Sequence, residues 1–175
     1  LGEEGVRKRL PHLDLPENTQ DWMKILLFCA YQGTKNSGKT TRNAARTIAT
    51  ALGCDYAEWE VDDLVEGYES TVESVLKRQL SWQTDDLARQ NIQARVRAPG
   101  IWMMANIRNA LLLATSNRSE AAVGYATMDG DTSGGLSPIA GIDKHYLREW
   151  LRFMESTGLP ESPSIKELSQ INVQN

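Results

Sequence analysis

Cysteine, long apolar runs and excess positive charge are all scarce in this sequence. Its 175 residues include only two cysteines, Cys29 and Cys54, which is too few for a disulfide framework and more typical of a reducing compartment. No apolar run approaches the roughly 18–20 residues that a membrane-spanning helix needs, and we find no secretory signal peptide. We therefore expect a cytoplasmic protein without a membrane partner.

The balance of charge argues against another class of partner. Lysine and arginine number 19 against 23 aspartates and glutamates, which gives a net charge of −4. Proteins that bind mainly phosphate backbones are usually basic, so we do not expect a nucleic-acid partner. Hydrophobic residues at 41% and charged residues at 24% are typical of a single globular domain of this length. A small anionic ligand remains possible, because local positive groups can bind it.

Short apolar runs alternate with segments of helical periodicity, which predicts an α/β fold with a largely parallel sheet. Strands are predicted at Met23–Tyr31, Asp55–Val61 and the buried run Ala110–Ala114. Pro99 should divide one long helical stretch into two. The predicted helices cover residues 41–52, 62–77, 84–98 with Thr84 as the cap, a second piece that ends at 109, and a short helix from 118 or 119. A last helix is predicted from 143, with Leu147, Trp150, Leu151 and Met154 on one face.

The segment Gly33–Thr40 reads GTKNSGKT and matches the phosphate-loop pattern G-x-x-x-x-G-K-[ST]. A P-loop NTPase or kinase is therefore one interpretation. Such a site usually also needs an aspartate at the end of a second apolar strand, and the run ALLLA ends in Thr-Ser-Asn instead. The alternative is a loop whose Gly, Asn and Ser residues serve turns and caps. Both interpretations stay open at this point.

Several polar residues stand where an α/β fold places ligands. Thr115 and Glu120 follow the predicted third strand, and open α/β sheets bind ligands at the carboxyl ends of their strands. Glu120 could also close a capping box with Asn117, three residues earlier. Asn91 and Arg95 are four residues apart, so they share a helix face and can converge on one ligand. The alternative is that this face is simply exposed to solvent.

Five motifs follow one another between Asn91 and Lys144: NIQAR at 91–95, ATSNRSE at 114–120, GYAT at 124–127, GDTSGGL at 130–136 and PIAGIDK at 138–144. Their order and spacing closely resemble the synthetase domain of NAD synthetases, and in particular the glutamine-dependent, two-domain type. The resemblance covers about residues 22–160. It implies a Rossmann-like parallel sheet flanked by helices, of the ATP-pyrophosphatase type, which is adenine nucleotide alpha hydrolase-like.

The resemblance also implies a reaction. Enzymes of this family use MgATP to adenylate deamido-NAD and release pyrophosphate, after which ammonia displaces AMP to give NAD. In glutamine-dependent members, a separate glutaminase domain supplies the ammonia from glutamine. The implied cofactors are ATP and Mg²⁺, and the implied assembly is a homodimer or a higher homo-oligomer.

The resemblance assigns roles to six residues of this chain. It places Thr115 and Lys144 at ATP and gives Glu120 a role either as a Mg²⁺ ligand or at deamido-NAD. The residues that it places at deamido-NAD are Asn91, Arg95, Glu120 and Asp131.

We expect residues 1–175 to be part of one synthetase domain. The family's S-G-G-x-D-S phosphate loop and the glutaminase domain are not found in this sequence, so we expect the chain alone to be inactive. Two alternatives remain: an NTPase or kinase that uses Gly33–Thr40, and another ATP-pyrophosphatase amide ligase with a different acid substrate.

Overall fold

The computed structural model describes residues 2–159 and 162–163, which form two compact units. The first unit contains the described parts of Leu1–Tyr31, Ser37–Trp59 and Arg152–Asn175, and the second contains Gln32–Asn36 and Glu60–Leu151. The helices are α1 Gly2–Arg9, α2 Trp22–Leu26, α3 Lys39–Ala51, α4 Asp62–Leu76, α5 Asp86–Arg95, α6 Arg97–Ile107, α7 Arg118–Ala122 and α8 Lys144–Ser156. The strands are β1 Phe28–Gly33, β2 Asp55–Glu60, β3 Gly158–Leu159 and β4 Ser162–Pro163.

Strands β1 and β2 pair in parallel, with helix α3 as the crossover between them. The amide of Asp55 donates to the carbonyl of Leu27 at 3.1 Å, and the amide of Val61 donates to that of Gly33 at 3.0 Å. The two bonds join partners with the same separation in sequence, which defines the parallel register. Gly53 ends the α3 region with a φ of 68°, a backbone conformation that favours glycine. The predicted strand–helix–strand order is confirmed here.

The first unit is organised around an indole. Trp22 is buried, and its Nε1 donates to the carbonyl of Pro16 at 2.9 Å. The guanidinium of Arg7 lies 5.0 Å from the centroid of the same ring, a cation–π contact that ties α1 to α2. The other buried apolar residues of this unit are Leu15, Ala49 and Met154.

The two thiols, which are far apart in the sequence, lie together in the first unit. Cys29 of β1 and Cys54, just before β2, are both half-buried and form a hydrogen bond with each other. Burial is the main reason that the pKa of each thiol is raised, to about 11 for Cys54. Both therefore stay protonated at neutral pH, and neither forms a disulfide.

The second unit packs α5 against both α4 and α6. Arg89 joins α5 to α4 because its guanidinium donates twice to the carboxylate of Glu69, at 2.7 and 3.1 Å. The same guanidinium lies 4.3 Å from the ring centroid of Trp82. The core of this unit consists of Val61, Val65, Val96, Ala98, Ala105 and Ala114. Among the described residues, no helix is both long and apolar enough to cross a membrane.

The predicted strand at Met23–Tyr31 is wrong in its first half. Met23 to Leu26 belong to helix α2, and the amide of Leu27 donates to the carbonyl of Met23 at 3.0 Å. Trp22 is the buried residue of this helix, whereas Ile25 and Leu26 are exposed. One buried residue per turn suits a short amphipathic helix, so the apolar run did not by itself indicate a strand.

The predicted buried strand Ala110–Ala114 is also wrong. Only Leu113 forms a bridge, an isolated parallel one with Leu136. The amide of Ala114 donates to the carbonyl of Leu136 at 2.8 Å, so the partner of this segment is the glycine-rich loop. Leu111 is 63% exposed and Leu113 is 40% exposed. The segment is therefore extended at one point but is not a continuous strand, and only Ala114 at its end is buried.

The break in the long helical stretch lies at Val96, earlier than Pro99. Pro99 is the third residue of α6, where its missing N–H is one that a helix start leaves unpaired in any case. Thr84 does not cap α5: Asp85 holds the N-cap position, and the Thr84 hydroxyl donates to its carboxylate. The start of α7 at Arg118 is confirmed, and α8 begins one residue after the predicted Asp143.

The turn before α5 yields a prediction about acid stability. The carboxylate of Asp85 accepts from Arg78 at 2.7 and 2.8 Å and from the amide of Ser81 at 3.0 Å. These bonds, that from Arg78 first, hold the pKa of Asp85 far below its usual value of 3.8. The charged form therefore stabilises the fold above about pH 4, and this contribution is lost as the pH falls toward the folded pKa. Urea unfolding of Asp85→Asn should show a lower midpoint than wild type at pH 7 and a smaller difference near pH 3. A difference that does not change with pH would contradict this account.

Candidate functional site

A cavity of about 250 Å³ opens in the second unit, lined by Thr115, Ser116, Glu120, Tyr125 and Asp131. Three of these five residues, Thr115, Glu120 and Asp131, were predicted from the sequence as site residues, and the structure brings them together. Typical small-molecule sites enclose about 300–1,000 Å³, so this cavity suits part of a nucleotide-sized ligand. Ser116 and Tyr125 were not predicted, although both stand inside the motifs at 114–120 and 124–127.

The start of α7 fixes the carboxylate of Glu120. Asn117 is buried and caps the helix: its side-chain oxygen accepts from the amide of Glu120 at 3.1 Å. In return, Oε2 of Glu120 accepts from the amide of Asn117 at 3.1 Å, which completes a capping box. The other oxygen, Oε1, lies 3.5 Å from the ammonium of Lys144. The structural and the ligand-binding interpretations of Glu120 are therefore compatible, because each uses a different oxygen.

Lys144 reaches Glu120 because the start of α8 is tied to α7. The Lys144 amide donates to the hydroxyl of Ser119 at 3.0 Å, and the Arg118 amide donates to the carbonyl of Ile142 at 2.9 Å. Asp143 caps α8 by accepting from the amide of Tyr146 at 2.8 Å. This bond, followed by the nearby charge of Arg118, lowers the pKa of Asp143. The predicted ATP residue Lys144 is thus the first residue of a capped helix and faces an acid of the cavity.

The carboxylate of Asp131 is held within its own loop. Its Oδ2 accepts from the amide of Thr127 at 2.8 Å, and its backbone carbonyl accepts from the hydroxyl of Ser116 at 2.9 Å. The second bond joins the loop to the segment after Ala114. Asp131 and Ser116 therefore line the cavity with fixed backbones, although Asp131 itself is exposed.

Asn91 and Arg95 both contact this loop. The Thr127 hydroxyl donates to Oδ1 of Asn91 at 3.1 Å, and Nε of Arg95 donates to the carbonyl of Met128 at 3.0 Å. Both side chains thus reach the same loop from one face of α5, as their four-residue spacing predicts. Neither lines the cavity, so their contact with a substrate stays a prediction. In this structure they position the loop that carries Asp131.

A glycine allows the loop to lie directly on α5. A Cβ atom at position 130 would stand 2.9 Å from the backbone carbon of Ala94 and 3.0 Å from the amide nitrogen of Arg95. Backbone atoms cannot rotate away, so any side chain at Gly130 would push the loop off the helix. The same packing therefore fixes the position of Asp131, the next residue.

The segment Gly33–Thr40 forms the strand–loop–helix that its pattern predicts. Strand β1 ends at Gly33, and α3 begins at Lys39 with Gly38 as its N-cap. Lys35 is held by two acids, since its amide donates to Asp62 at 2.8 Å and its ammonium lies 3.2 Å from Glu66. These contacts give the loop a defined conformation without identifying a ligand.

The charges of the cavity limit what it can bind. Glu120 and Asp131 bring two carboxylates to its wall, against the single ammonium of Lys144 beside Glu120. A phosphate-bearing ligand would need a further cation there. The described residues contain no cluster of three or more side chains able to hold a metal ion. Mg²⁺, however, is commonly held by one or two carboxylates together with the phosphates of a substrate, which fits this pair.

Comparison with known proteins agrees with the fold and with the motifs. The NAD synthase family model matches residues 27–167. A solved glutamine-dependent NAD synthetase from Cytophaga hutchinsonii is 44% identical, with a TM-score of 0.83 over 96% of this chain and 30% of that one. The parallel strands with flanking helices therefore define an α/β domain of the adenine nucleotide alpha hydrolase type. The chain belongs to the NAD synthase family, as its motifs indicated.

The curated relatives are considerably longer than this chain. The glutamine-dependent NAD synthetase of Aquifex aeolicus is 33% identical over 137 residues, which cover 78% of this chain and 23% of the relative. That of Dictyostelium discoideum is 29% identical over 153 residues, covering 79% and 22%. A structure of the Acinetobacter baumannii enzyme in complex with ADP shares the fold, at 23% identity and a TM-score of 0.67 over 81% of this chain and 26% of that one. The chain thus spans less than a quarter of the length of these curated relatives.

The packing of Gly130 on α5 can be tested by adding one methyl group. Gly130→Ala should destabilise the protein by about 1–3 kcal/mol, because the new Cβ overlaps with backbone atoms. Gly67→Ala is the matched control: a Cβ there meets nothing within 4 Å, and alanine stabilises a helix interior by up to about 1 kcal/mol. Thermal unfolding of both variants measures the difference. Equal unfolding temperatures would show that the loop does not rest on α5.

Proposed function

We propose that this chain forms part of the synthetase domain of a glutamine-dependent NAD synthetase. In this proposal the domain uses ATP to adenylate the carboxylate of deamido-NAD and releases pyrophosphate. Ammonia derived from glutamine then displaces AMP and yields NAD. Residues 1–175 supply one wall of the active site, and a separate glutaminase domain supplies the ammonia.

One observation carries this proposal: Thr115, Glu120 and Asp131, which family resemblance alone had assigned to ATP and deamido-NAD, line a single cavity. They come from two motifs, at 114–120 and 130–136, and Lys144, a further assigned residue, contacts Glu120. A chance match to the family's motifs gives no reason for these side chains to converge. The curated relatives named as glutamine-dependent NAD synthetases support the formation of NAD with glutamine as the nitrogen source.

The residues suggest how the reaction is assisted. A carboxylate that attacks the α-phosphorus of ATP brings two anions together, so the site must supply positive charge. Lys144 can place its ammonium against the phosphates once it leaves Glu120, and the exposed Thr115 hydroxyl can donate to a phosphate oxygen. Tyr125 is 77% exposed at the cavity wall and offers a face for a planar ring. Asn91 and Arg95 contribute by holding the loop that carries Asp131.

A magnesium ion would complete this charge balance. Oε1 of Glu120 and the free acceptor sites of Asp131 are the groups that would hold it, together with phosphate oxygens. When bound, the ion neutralises phosphate charge and polarises the phosphorus centre. The protein residues keep their own tasks: Oε2 of Glu120 stays in the capping box, and Asp131 stays bound to the Thr127 amide.

Substitutions in the complete polypeptide distinguish this proposal from the P-loop interpretation. Thr115→Ala and Glu120→Ala should each reduce NAD formation from deamido-NAD, MgATP and ammonia by about 10²-fold or more, a loss typical for a group that stabilises transition-state charge. Lys39→Ala should cause a milder loss. Release of pyrophosphate and of AMP is the measurement. If Lys39→Ala abolishes nucleotide turnover while Thr115→Ala leaves it intact, the P-loop alternative is correct.

The acid substrate separates this proposal from a different amide ligase. With ammonia as the nitrogen donor, deamido-NAD should support AMP release far better than nicotinate mononucleotide. The second acid is a relevant rival because an NMN synthetase from Francisella tularensis shares the fold, at 19% identity. A preference for the mononucleotide, or for neither acid, would contradict the proposed substrate. The same assay on residues 1–175 alone should show no NAD formation above background.

A further inference from the structure

A salt bridge joins the first residue of α7, two residues before Glu120, to the cap residue of α8, one residue before Lys144. Nη2 of Arg118 lies 2.9 Å from Oδ2 of Asp143. Two further hydrogen bonds flank this salt bridge. Ser119, the residue after Arg118, accepts from the Lys144 amide, and Ile142, the residue before Asp143, accepts from the Arg118 amide. The family resemblance gave neither Arg118 nor Asp143 a role, and neither lines the cavity.

We propose that Arg118 and Asp143 are positioning residues that orient Lys144 toward the nucleotide. The inference rests on the proposed function, because it concerns the ATP site. The two residues hold the first turn of α8 against the first turn of α7, and this sets the distance of 3.5 Å between the Lys144 ammonium and Oε1 of Glu120. Loss of the bridge would leave Lys144 present but no longer fixed at the cavity.

The geometry of Asp143 allows it to serve two partners at once. Its Oδ1 accepts from the amide of Tyr146 at 2.8 Å and so caps α8, whereas its Oδ2 faces Arg118. The cap and the salt bridge use different oxygens, so neither has to break for the other to form. The orientation of α8 is therefore coupled to α7 through a single side chain.

Lys144 needs such support because its position is unfavourable by itself. A cation in the first turn of a helix opposes the helix dipole, and the Lys144 side chain is 56% exposed. Neither the dipole nor burial would keep its ammonium near Glu120. The acid of Asp143, one residue earlier, stabilises the same helix end and offsets this disadvantage.

The salt bridge itself should contribute little to global stability. Its side chains are 61% and 39% exposed, and exposed ion pairs are weak. A purely structural role would therefore leave almost nothing to measure. A positioning role makes a different prediction, because the effect should appear in nucleotide affinity and should depend on Lys144.

The variants are chosen to remove the bridge and keep the cap. Arg118→Gln removes the cation, and Asp143→Asn removes the charge but retains an oxygen for the Tyr146 amide. In the complete polypeptide, each should weaken MgATP binding by about three- to fivefold, and Arg118→Lys should restore most of the affinity. Arg78→Gln is the control, since it removes the half-exposed arginine of another ion pair, with Asp85, and should leave MgATP binding unchanged.

A double-mutant cycle with Lys144→Ala tests whether the effect passes through Lys144. In the Lys144→Ala background, Arg118→Gln should cause no further loss of MgATP affinity by calorimetry. Additive losses would overturn the inference, because Arg118 would then act independently of Lys144. Unchanged affinity of Arg118→Gln in the wild-type background would overturn it as well.

A second measurement keeps this inference separate from the proposed function. If Lys144→Ala does not alter MgATP binding, the proposed ATP role of Lys144 fails. Whether Arg118 positions the start of α8 is then tested by a structural measurement. Hydrogen exchange by NMR then reports on the Lys144 amide, which is bonded to Ser119. Its exchange should accelerate in Arg118→Gln and remain unchanged in Arg78→Gln. An unaltered exchange rate in Arg118→Gln would show that the salt bridge positions nothing.

Discussion

The capping box between Asn117 and Glu120 is the interaction on which the rest of the site depends. Asn117 is one of the few buried polar residues among those described, at 6% exposure, and a buried amide is costly unless its groups are bonded. Its bond to the Glu120 amide meets this need and starts α7 at a fixed point. Because the box uses only Oε2 of Glu120, it fixes the orientation of the carboxylate and leaves Oε1 facing Lys144.

Hydrogen bonds also fix the glycine-rich loop that carries Asp131. The loop has no regular structure to hold Asp131, so hydrogen bonds from three directions do so: from Thr127 within the loop, from Ser116 and through Asn91 on α5. Gly130 allows the backbone to approach α5 closely, where Asn91 accepts from Thr127. Two short pieces of backbone, α7 and the loop that rests on α5, thus place carboxylates on one cavity.

The local signals of the sequence predicted this site better than they predicted the strands. The capping box and the four-residue spacing of Asn91 and Arg95 both depend on neighbours within a few residues, so these patterns carried over directly. The strands were predicted less well, because an apolar run such as Met23–Leu26 or Ala110–Ala114 indicates only that burial would be favourable. Whether such a run becomes a strand depends on partners that are distant in the sequence. Ser116 and Tyr125 were missed for a related reason, since only the folded loop brings them to the cavity wall.

The central claim is that ATP and deamido-NAD bind at the cavity formed by α7 and the loop of Asp131, and that the P-loop-like segment does not hold the phosphates. A crystal structure of the complete polypeptide with deamido-NAD and a non-hydrolysable MgATP analogue tests this most directly. We predict electron density for the phosphates within hydrogen-bond distance of Thr115 and Lys144, with the metal against Glu120. Density for the triphosphate wrapped by the backbone amides of Gly33–Thr40, with an empty cavity at Glu120, would contradict the account.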